Sequence, residues 1–193
     1  MRLDSHDELR SVYRMPRGGA VDKVITTLDE HCATFLSKSP FMVLSTADAT
    51  GAVDGSPKGG EPGFAHILDD GRVGWADSSG NNRLDSFENV VTNPNIAMLF
   101  MIPGLDESLR INGTAELTTD PAICEDFSYG SSSAKVVVLV TVNEAYIHCA
   151  KAYRRAGLWD PDSWLSPDLV PNGVAILKDH ASISTPVEEI EVE

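Results

Sequence analysis

Apolar residues recur along this chain with two different periods, and the switch between them outlines the elements. From Asp22 the positions Ile25, Leu28, Cys32, Phe35 and Leu36 repeat at helical spacing. That spacing predicts a helix opened by Asp22 as its cap and stopped by Ser39-Pro40. Phe41 to Thr46 is short, apolar and β-prone, and the turn-forming Asp48 to Gly51 joins it to a partner strand at Ala52 to Lys58. Phe64 to Leu68 and Arg72 to Ala76 flank Asp69-Asp70-Gly71, a hairpin signal. Leu84, Phe87, Val90 and Val91 form one face of a short helix that Asn93-Pro94 closes. Ile96 to Ile102 is a buried-type strand broken by Pro103-Gly104. Leu109, Ile111, Gly113, Ala115 and Leu117 then alternate with polar residues, the period of a half-buried strand. Pro121 starts a short helix through Phe127, Val136 to Ile147 supplies the last long strand, and His148 to Ala156 reads as a final helix.

Six or seven short strands with tight, mostly antiparallel connections predict a mainly β fold with peripheral helices, a closed or nearly closed β-barrel. Residues 1–20, polar and punctuated by Pro16 and Gly18-Gly19, read as an N-terminal arm. A single domain is expected over 21–185, and 186–193 as a mobile acidic tail. At 193 residues the chain is long enough for one full core and short for two.

Charge narrows the function classes. The formal net charge is −14, with 29 Asp and Glu against 15 Lys and Arg. No basic stripe is available to neutralise a nucleic-acid backbone or to hold an anionic membrane surface. No apolar stretch reaches the roughly 18 residues of a membrane span, and the mixed-charge N-terminus has no signal-peptide core, so a cytoplasmic protein is expected. The three cysteines, Cys32, Cys124 and Cys149, fit no metal-ligand spacing, and their odd number argues against a disulfide framework. Cys32 and Cys149 fall on apolar faces and are expected to be buried thiols.

Against that acidic background two polar, glycine-flanked cation sites stand out, Ser56-Pro57-Lys58-Gly59-Gly60 and Ser78-Ser79-Gly80-Asn81-Asn82-Arg83. The second precedes a helical face, where first-turn N–H groups lack partners within the helix. Donors at a helix start plus fixed cations make a phosphate site, although Asn and Ser there also serve as ordinary caps. Each charge-assisted hydrogen bond to a phosphate contributes about 1.5–3 kcal/mol, so three of them would dominate recognition. There is no GxGxxG after a strand, no P-loop, no HExxH and no nucleophile elbow, so dinucleotide-fold, nucleotide-triphosphatase, zinc-protease and serine-hydrolase readings fail, and no metal site is expected.

The order of Pro40 to Thr46, Asp54 to Gly60, Trp75 to Arg83, Asn93-Pro94 and Leu109 to Ala115 resembles the pyridoxamine 5′-phosphate oxidase-related FMN-binding split-barrel family. The likeness covers residues 22–160, is most specific from Ser56 to Ala115, and extends to His148-Cys149-Ala150-Lys151-Ala152 in a subgroup. It implies an FMN-binding split β-barrel, a homodimer holding FMN at the subunit interface, and FMN-dependent oxidoreductase activity on a small molecule. Carried over by motif, Arg83 with Asn82 and Ser86 would bind the phosphate. Lys58 would reach phosphate or ribityl oxygens, Trp75, Asp77 and Ser78 would lie on the strand beside the ring, and Ser56, Asn81 and Lys151 complete the expected cofactor-binding set. His148 and Lys151 would approach the partner subunit's flavin, where a positive charge raises its reduction potential. The chain departs from true pyridoxamine phosphate oxidases in lacking an evident Arg-x-His substrate signature, which argues against pyridoxamine phosphate as substrate. The same barrel also serves haem and deazaflavin proteins and non-enzymatic flavin storage or redox sensing, so these remain alternatives. No catalytic acid or base is assigned. Arg110 alternates away from the core and is a candidate interface residue. His66 is expected to be structural, and Trp159 and Trp164 to pack at an interface.

Overall fold

In a computed structural model, which describes residues 2–77, 82–127 and 134–184, the chain forms a seven-stranded antiparallel sheet with helices at its periphery. Three helices precede the sheet: α1 (His6–Val12), α2 (Gly19–Asp22) and α3 (Glu30–Lys38). Then come β1 (Phe41–Ala47), β2 (Val53–Gly59), β3 (Ala65–Ile67), β4 (Val73–Ala76), α4 (Asp85–Thr92), β5 (Asn95–Met101) and β6 (Ser108–Thr118). The chain continues through α5 (Pro121–Asp126), β7 (Val137–His148), α6 (Lys151–Ala156) and α7 (Gly173–His180). The strand order is β2-β1-β5-β6-β7-β4-β3, so β2 and β3 are the two edges. The sheet curls into a half-barrel of the split-barrel type, mainly β with peripheral helices, as the sequence implies.

Local chemistry accounts for the turns. Asp48 Oδ1 accepts from the N–H groups of Thr50 (2.8 Å) and Ala52 (2.9 Å) and from the Thr50 hydroxyl (2.7 Å), which fixes the β1–β2 turn. Those bonds hold the Asp48 carboxyl below the ordinary aspartate range, the Thr50 hydroxyl contributing most. Gly71 takes the left-handed conformation the β3–β4 turn requires, with φ +82°. Gly113 answers to a different constraint. β6 carries a bulge between Asn112 and Gly113, and a Cβ there would run into the backbone carbonyl of Thr141 on β7.

The core occupies the concave side of the sheet. Met42 and Leu44 from β1, Ile96, Met98 and Phe100 from β5, Leu109, Ile111 and Ala115 from β6, and Val138 and Val140 from β7 are buried together with Trp75. Cys32, Phe35 and Leu36 of α3 close it from one side, at the three-and-four spacing of one helical stripe. A satellite cluster of Cys124, Phe127, Val137 and Leu139 lies under α5.

Four expectations are corrected or extended. The helix predicted from Asp22 starts at Glu30, capped by Asp29, whose carboxylate accepts from the Cys32 N–H at 2.9 Å. Residues before it are recruited by tertiary pairing instead. Ile25 makes an antiparallel bridge to Ala145, with N–H to carbonyl distances of 3.0 and 2.8 Å. The N-terminal arm holds a helix, α1, sealed by a capping box between Ser5 and Glu8. α6 is followed by α7, opened by Asn172, whose side chain accepts from the Ala175 N–H at 3.0 Å. Among the cysteines, Cys32 and Cys124 are buried but Cys149 is exposed, because it sits past the end of β7. Burial pushes the Cys32 thiol up, away from reactivity. Among the described residues, no helix is long and apolar enough to cross a membrane, and no group of His, Cys, Asp and Glu is arranged to hold a metal. The tail expected at 186–193 lies outside the described residues.

Candidate functional site: a charged rim at the start of α4

α4 packs against β1, β6 and edge strand β2. Its apolar face delivers Val90 to the core, while Asn89 Nδ2 donates to Thr46 Oγ1 of β1 at 2.9 Å. The helix start is therefore held against β1 and β2. Ser86, 5% exposed, donates from Oγ to Asp54 Oδ2 of β2 at 2.9 Å. The N-cap residue of α4, Leu84, supplies no side-chain cap, as is also true of α2 and α6, whereas α1, α3, α5 and α7 are capped by Ser5, Asp29, Asp120 and Asn172. α4 thus begins with donors and no carboxylate or hydroxyl of its own cap over them.

The cations stand around that start. Arg83 pairs through Nε with Asp85 Oδ2 at 2.7 Å, and Asp54 adds a further attraction that helps hold the guanidinium charged. Asn82 beside it adopts φ +57°, a left-handed conformation that asparagine tolerates better than most residues. On β2, Asp54, Ser56 and Lys58 alternate onto one side, paired in register with Thr46, Leu44 and Met42 of the core face. Lys58 acts on Asp77, the residue after β4. Burial pushes the Asp77 carboxyl above its ordinary range, and Lys58 and Lys135 pull against that shift. The curl of the sheet is what brings an edge lysine and an aspartate from the opposite end together.

This arrangement fits a phosphate. It offers an arginine, a buried hydroxyl and an uncapped helix start together, with a lysine on the same side of the neighbouring strand. The carboxylates of Asp54, Asp77 and Asp85 hold these donors in place, and an arriving anion would compete with them.

A second group of polar residues lies on the convex side. Arg110 of β6 faces away from the core in a row that crosses the sheet by register: Pro57, Val43, Leu99, Arg110, Tyr146. Its guanidinium carbon sits 5.7 Å from the Tyr146 ring centroid, and its Nε donates to Asn112 Oδ1 at 3.2 Å. Lys23 approaches the same ring at 5.1 Å and donates to the Ile147 carbonyl at 2.7 Å. His148 lies at the end of β7, paired with Ser108 and stacked on Tyr146 at 6.1 Å.

The structure therefore divides the residues singled out from sequence. Asn82, Arg83 and Ser86 lie at the start of α4 beside Asp54 of β2, Lys58 acts on Asp77, and Ser56 lies between Asp54 and Lys58 on the same side of β2. Trp75 is on β4, but its side chain is 2% exposed within the core. Lys151 begins α6 and is exposed, near His148 in sequence and away from α4. Ser78 and Asn81 lie outside the described residues. His66 stacks on Phe127 at 4.4 Å, Trp159 donates to the Leu105 carbonyl at 2.9 Å, and Trp164 is 61% exposed. Lys135 and Asp54 had escaped sequence reading. Asp54 opens the Asp54 to Gly60 stretch of the resemblance without a role of its own there, and the pairing of β4 with β7 brings Lys135 close to Asp77.

With this geometry in place, comparison with known proteins is informative. The family model described as pyridoxamine 5′-phosphate oxidase matches residues 28–149, well over half of the chain, and the chain belongs to that family. No curated protein matches the chain in sequence. Among solved structures, HupZ of Group A Streptococcus aligns with a TM-score of 0.51 at 18% identity, covering 63% of this chain and 94% of its own. General Stress Protein 26 from Bacillus anthracis aligns at 0.45 and 15% identity, covering 59% and 88%. An FMN-binding protein from Syntrophomonas wolfei aligns at 0.43 and 12% identity, covering 60% and 87%. At such identities the HupZ likeness is one of fold.

Proposed function

We propose that the protein is an FMN-dependent oxidoreductase, a homodimer that grips the flavin phosphate at the α4 rim and acts on a small molecule. The observation that carries this reading is the uncapped start of α4 with Arg83, Ser86 and Lys58 around it, in a protein of net charge −14. Membership of the pyridoxamine 5′-phosphate oxidase family supports a flavin as the phosphate-bearing ligand. Arg83, Asn82 and Ser86 would take the phosphate, and Lys58 with Ser56 the phosphate or ribityl oxygens. Bound there, FMN supplies the hydride or electron transfer. The residues of this chain position it and set its electrostatic surroundings. The convex face, with Val43, Leu99 and the 37%-exposed Phe41, supplies apolar surface for the second copy.

The test is direct. Purified protein should carry or take up FMN, identified by its blue and near-ultraviolet absorbance bands and by mass after release. Light scattering should give about twice the 20.8 kDa chain mass. An intense Soret band or a deazaflavin mass would overturn the cofactor, and a flavin-loaded monomer would overturn the interface. Substrate-dependent reoxidation or reduction of the bound flavin separates an enzyme from a storage protein.

A further inference from the structure

Residues 2–27 and 150–184 lie outside the stretch that the family model matches, 28–149, and both arms leave the sheet at one place. Ile25 bridges Ala145 of β7, and Lys23 donates to the Ile147 carbonyl while standing 5.1 Å from the Tyr146 ring. His148, stacked on the same ring, ends β7 and leads through Cys149 and Ala150 into α6. Tyr146 closes the outer row that runs through Val43, Leu99 and Arg110, the face given above to the second copy. Both arms therefore start at the margin of that face.

Neither arm covers its own apolar side chains within one copy. α6 is tied to the β5–β6 connection by Arg154 Nε on Asp106 Oδ2 at 2.8 Å and by Trp159 Nε1 on the Leu105 carbonyl at 2.9 Å. Beyond Trp159, every hydrogen bond among the described residues stays within 157–183. No residue of α1 or α7 is buried, and helices of seven and eight residues are marginal in water without packing. Trp164, Leu165, Leu169, Val170, Ile176 and Leu177 are 44–64% exposed. They present on the order of 600–700 Å², near the roughly 800 Å² per partner of a stable interface.

The charges of the two arms are complementary. Residues 10–17 hold Arg10, Arg14 and Arg17 with no acid, among Val12, Tyr13 and Met15 at 61–67% exposure. Residues 160–170 hold Asp160, Asp162 and Asp168 with no base, among the apolar side chains from Trp164 to Val170. None of these charges makes an ion pair among the described residues, so within one copy the two stretches do not answer each other.

We propose that the arms pair across the dimer. The arginine stretch 10–17 of one copy lies against the aspartate stretch 160–170 of the other, and two-fold symmetry repeats the contact. The apolar side chains supply the buried area, while the arginines and aspartates set the register and reject a wrong partner. This pairing rests on the homodimer proposed above and adds to the sheet face a second, self-complementary contact.

Sedimentation velocity of the full-length protein at low ionic strength measures dimer dissociation. Arg14→Glu with Arg17→Glu should weaken the homodimer about tenfold or more, and so should Asp162→Lys with Asp168→Lys, because each variant places like charges at both contacts. Mixed in equal amounts, the two variants should recover heterodimers of near-native affinity, counted by native mass spectrometry, because both contacts are then complementary. Circular dichroism first checks that each variant is folded. Should one fail, Trp164 emission in the unsubstituted protein carries the result. It should move to the red as dilution dissociates the dimer, and Trp164→Phe should remove that shift. Weakened variants that do not recover on mixing would overturn the pairing, since contacts within one chain behave that way. A dimer indifferent to both charge reversals, or one whose Trp164 emission stays solvent-like, would overturn it as well and leave the homodimer standing. A protein that is monomeric at every concentration would overturn the homodimer and the pairing together.

Discussion

The two faces of one sheet solve the problem of charge in opposite ways. At the α4 rim, the concave side opens on donors already engaged by carboxylates: the Arg83 guanidinium by Asp85, the Ser86 hydroxyl by Asp54, and Lys58 pulling on Asp77. On the convex side the arginine is held by an asparagine and a tyrosine ring, and no carboxylate among the described residues pairs with it. The lesson concerns preorganisation. A rim held by its own acids keeps its donors in position without a ligand, and it binds an anion only by the surplus over those contacts. An arginine set on a ring beside apolar side chains suits a face that a second copy covers.

The comparison is broken most severely by substitutions that test which face is sealed. Leu99 and Phe100 are chain neighbours that point to opposite sides. Phe100 is 0% exposed in the core, whereas Leu99 is half-buried on the convex face. Phe100→Ala should cost about 3–5 kcal/mol and lower the melting temperature by roughly 10 °C or more. Leu99→Ala should cost less than about 1.5 kcal/mol in the fold and act instead on dimer dissociation. Calorimetry and concentration-dependent light scattering separate the two. Equal thermal losses would mean that the convex face is as sealed as the core.

The next effect sharpens the rim. Lys58→Ala and Arg83→Ala should each weaken FMN binding at least about tenfold, the value of one charge-assisted hydrogen bond, and together more than either alone. Arg72→Gln removes an equally charged but remote arginine, paired with Asp70 and Glu116, and should leave FMN affinity unchanged. Flavin fluorescence quenching reads all of them. If Arg72→Gln weakens binding as much as Arg83→Ala, the rim has no special role and net charge is the cause.

Much of the fold was legible because the turns announce themselves chemically. Asp48 to Gly51, Asp69-Asp70-Gly71 and Pro103-Gly104 each carry residues whose side chains or left-handed backbone close a turn, and all three hairpins form where those residues stand. The start of α3 was not legible, because Ile25 fits a helical stripe as well as it fits the bridge to Ala145 that claims it. α1 and α7 carried readable caps, Ser5 with Glu8 and Asn172, that a reading focused on apolar periodicity passed over. For the site, the residue types were visible and their sorting was not. β2, Val53–Gly59, has no apolar alternation, so only its register against β1 reveals that Lys58 shares a side with Met42 while Pro57 shares one with Val43. Arg110 could be assigned to the outer side from sequence, since its neighbours Leu109 and Ile111 alternate cleanly inward.

The smallest expected effect probes the balance inside the rim, at Asp77. Burial disfavours its ionised form, and Lys58 and Lys135 only partly offset that cost, so the folded protein holds the Asp77 proton more tightly than the unfolded chain does. The sign follows. Below the ordinary aspartate value of 3.8 the carboxyl is neutral in both states and costs nothing, and as pH rises through that value toward the raised one the folded state loses stability. Asp77→Asn removes this decline. The melting temperature of the variant minus that of the unsubstituted protein should therefore be more positive at neutral pH than near pH 3. The same substitution releases Lys58 from the attraction of Asp77 and should tighten FMN by about two- to fivefold, the scale of a partly exposed charge pair. Thermal melts across pH give the first quantity and flavin titration the second. A melting difference that turns more negative toward neutral pH would show that the two lysines outweigh burial. The rim would then be a closed ion-pair network, better satisfied without a ligand than with one, and the contrast with the convex face would widen.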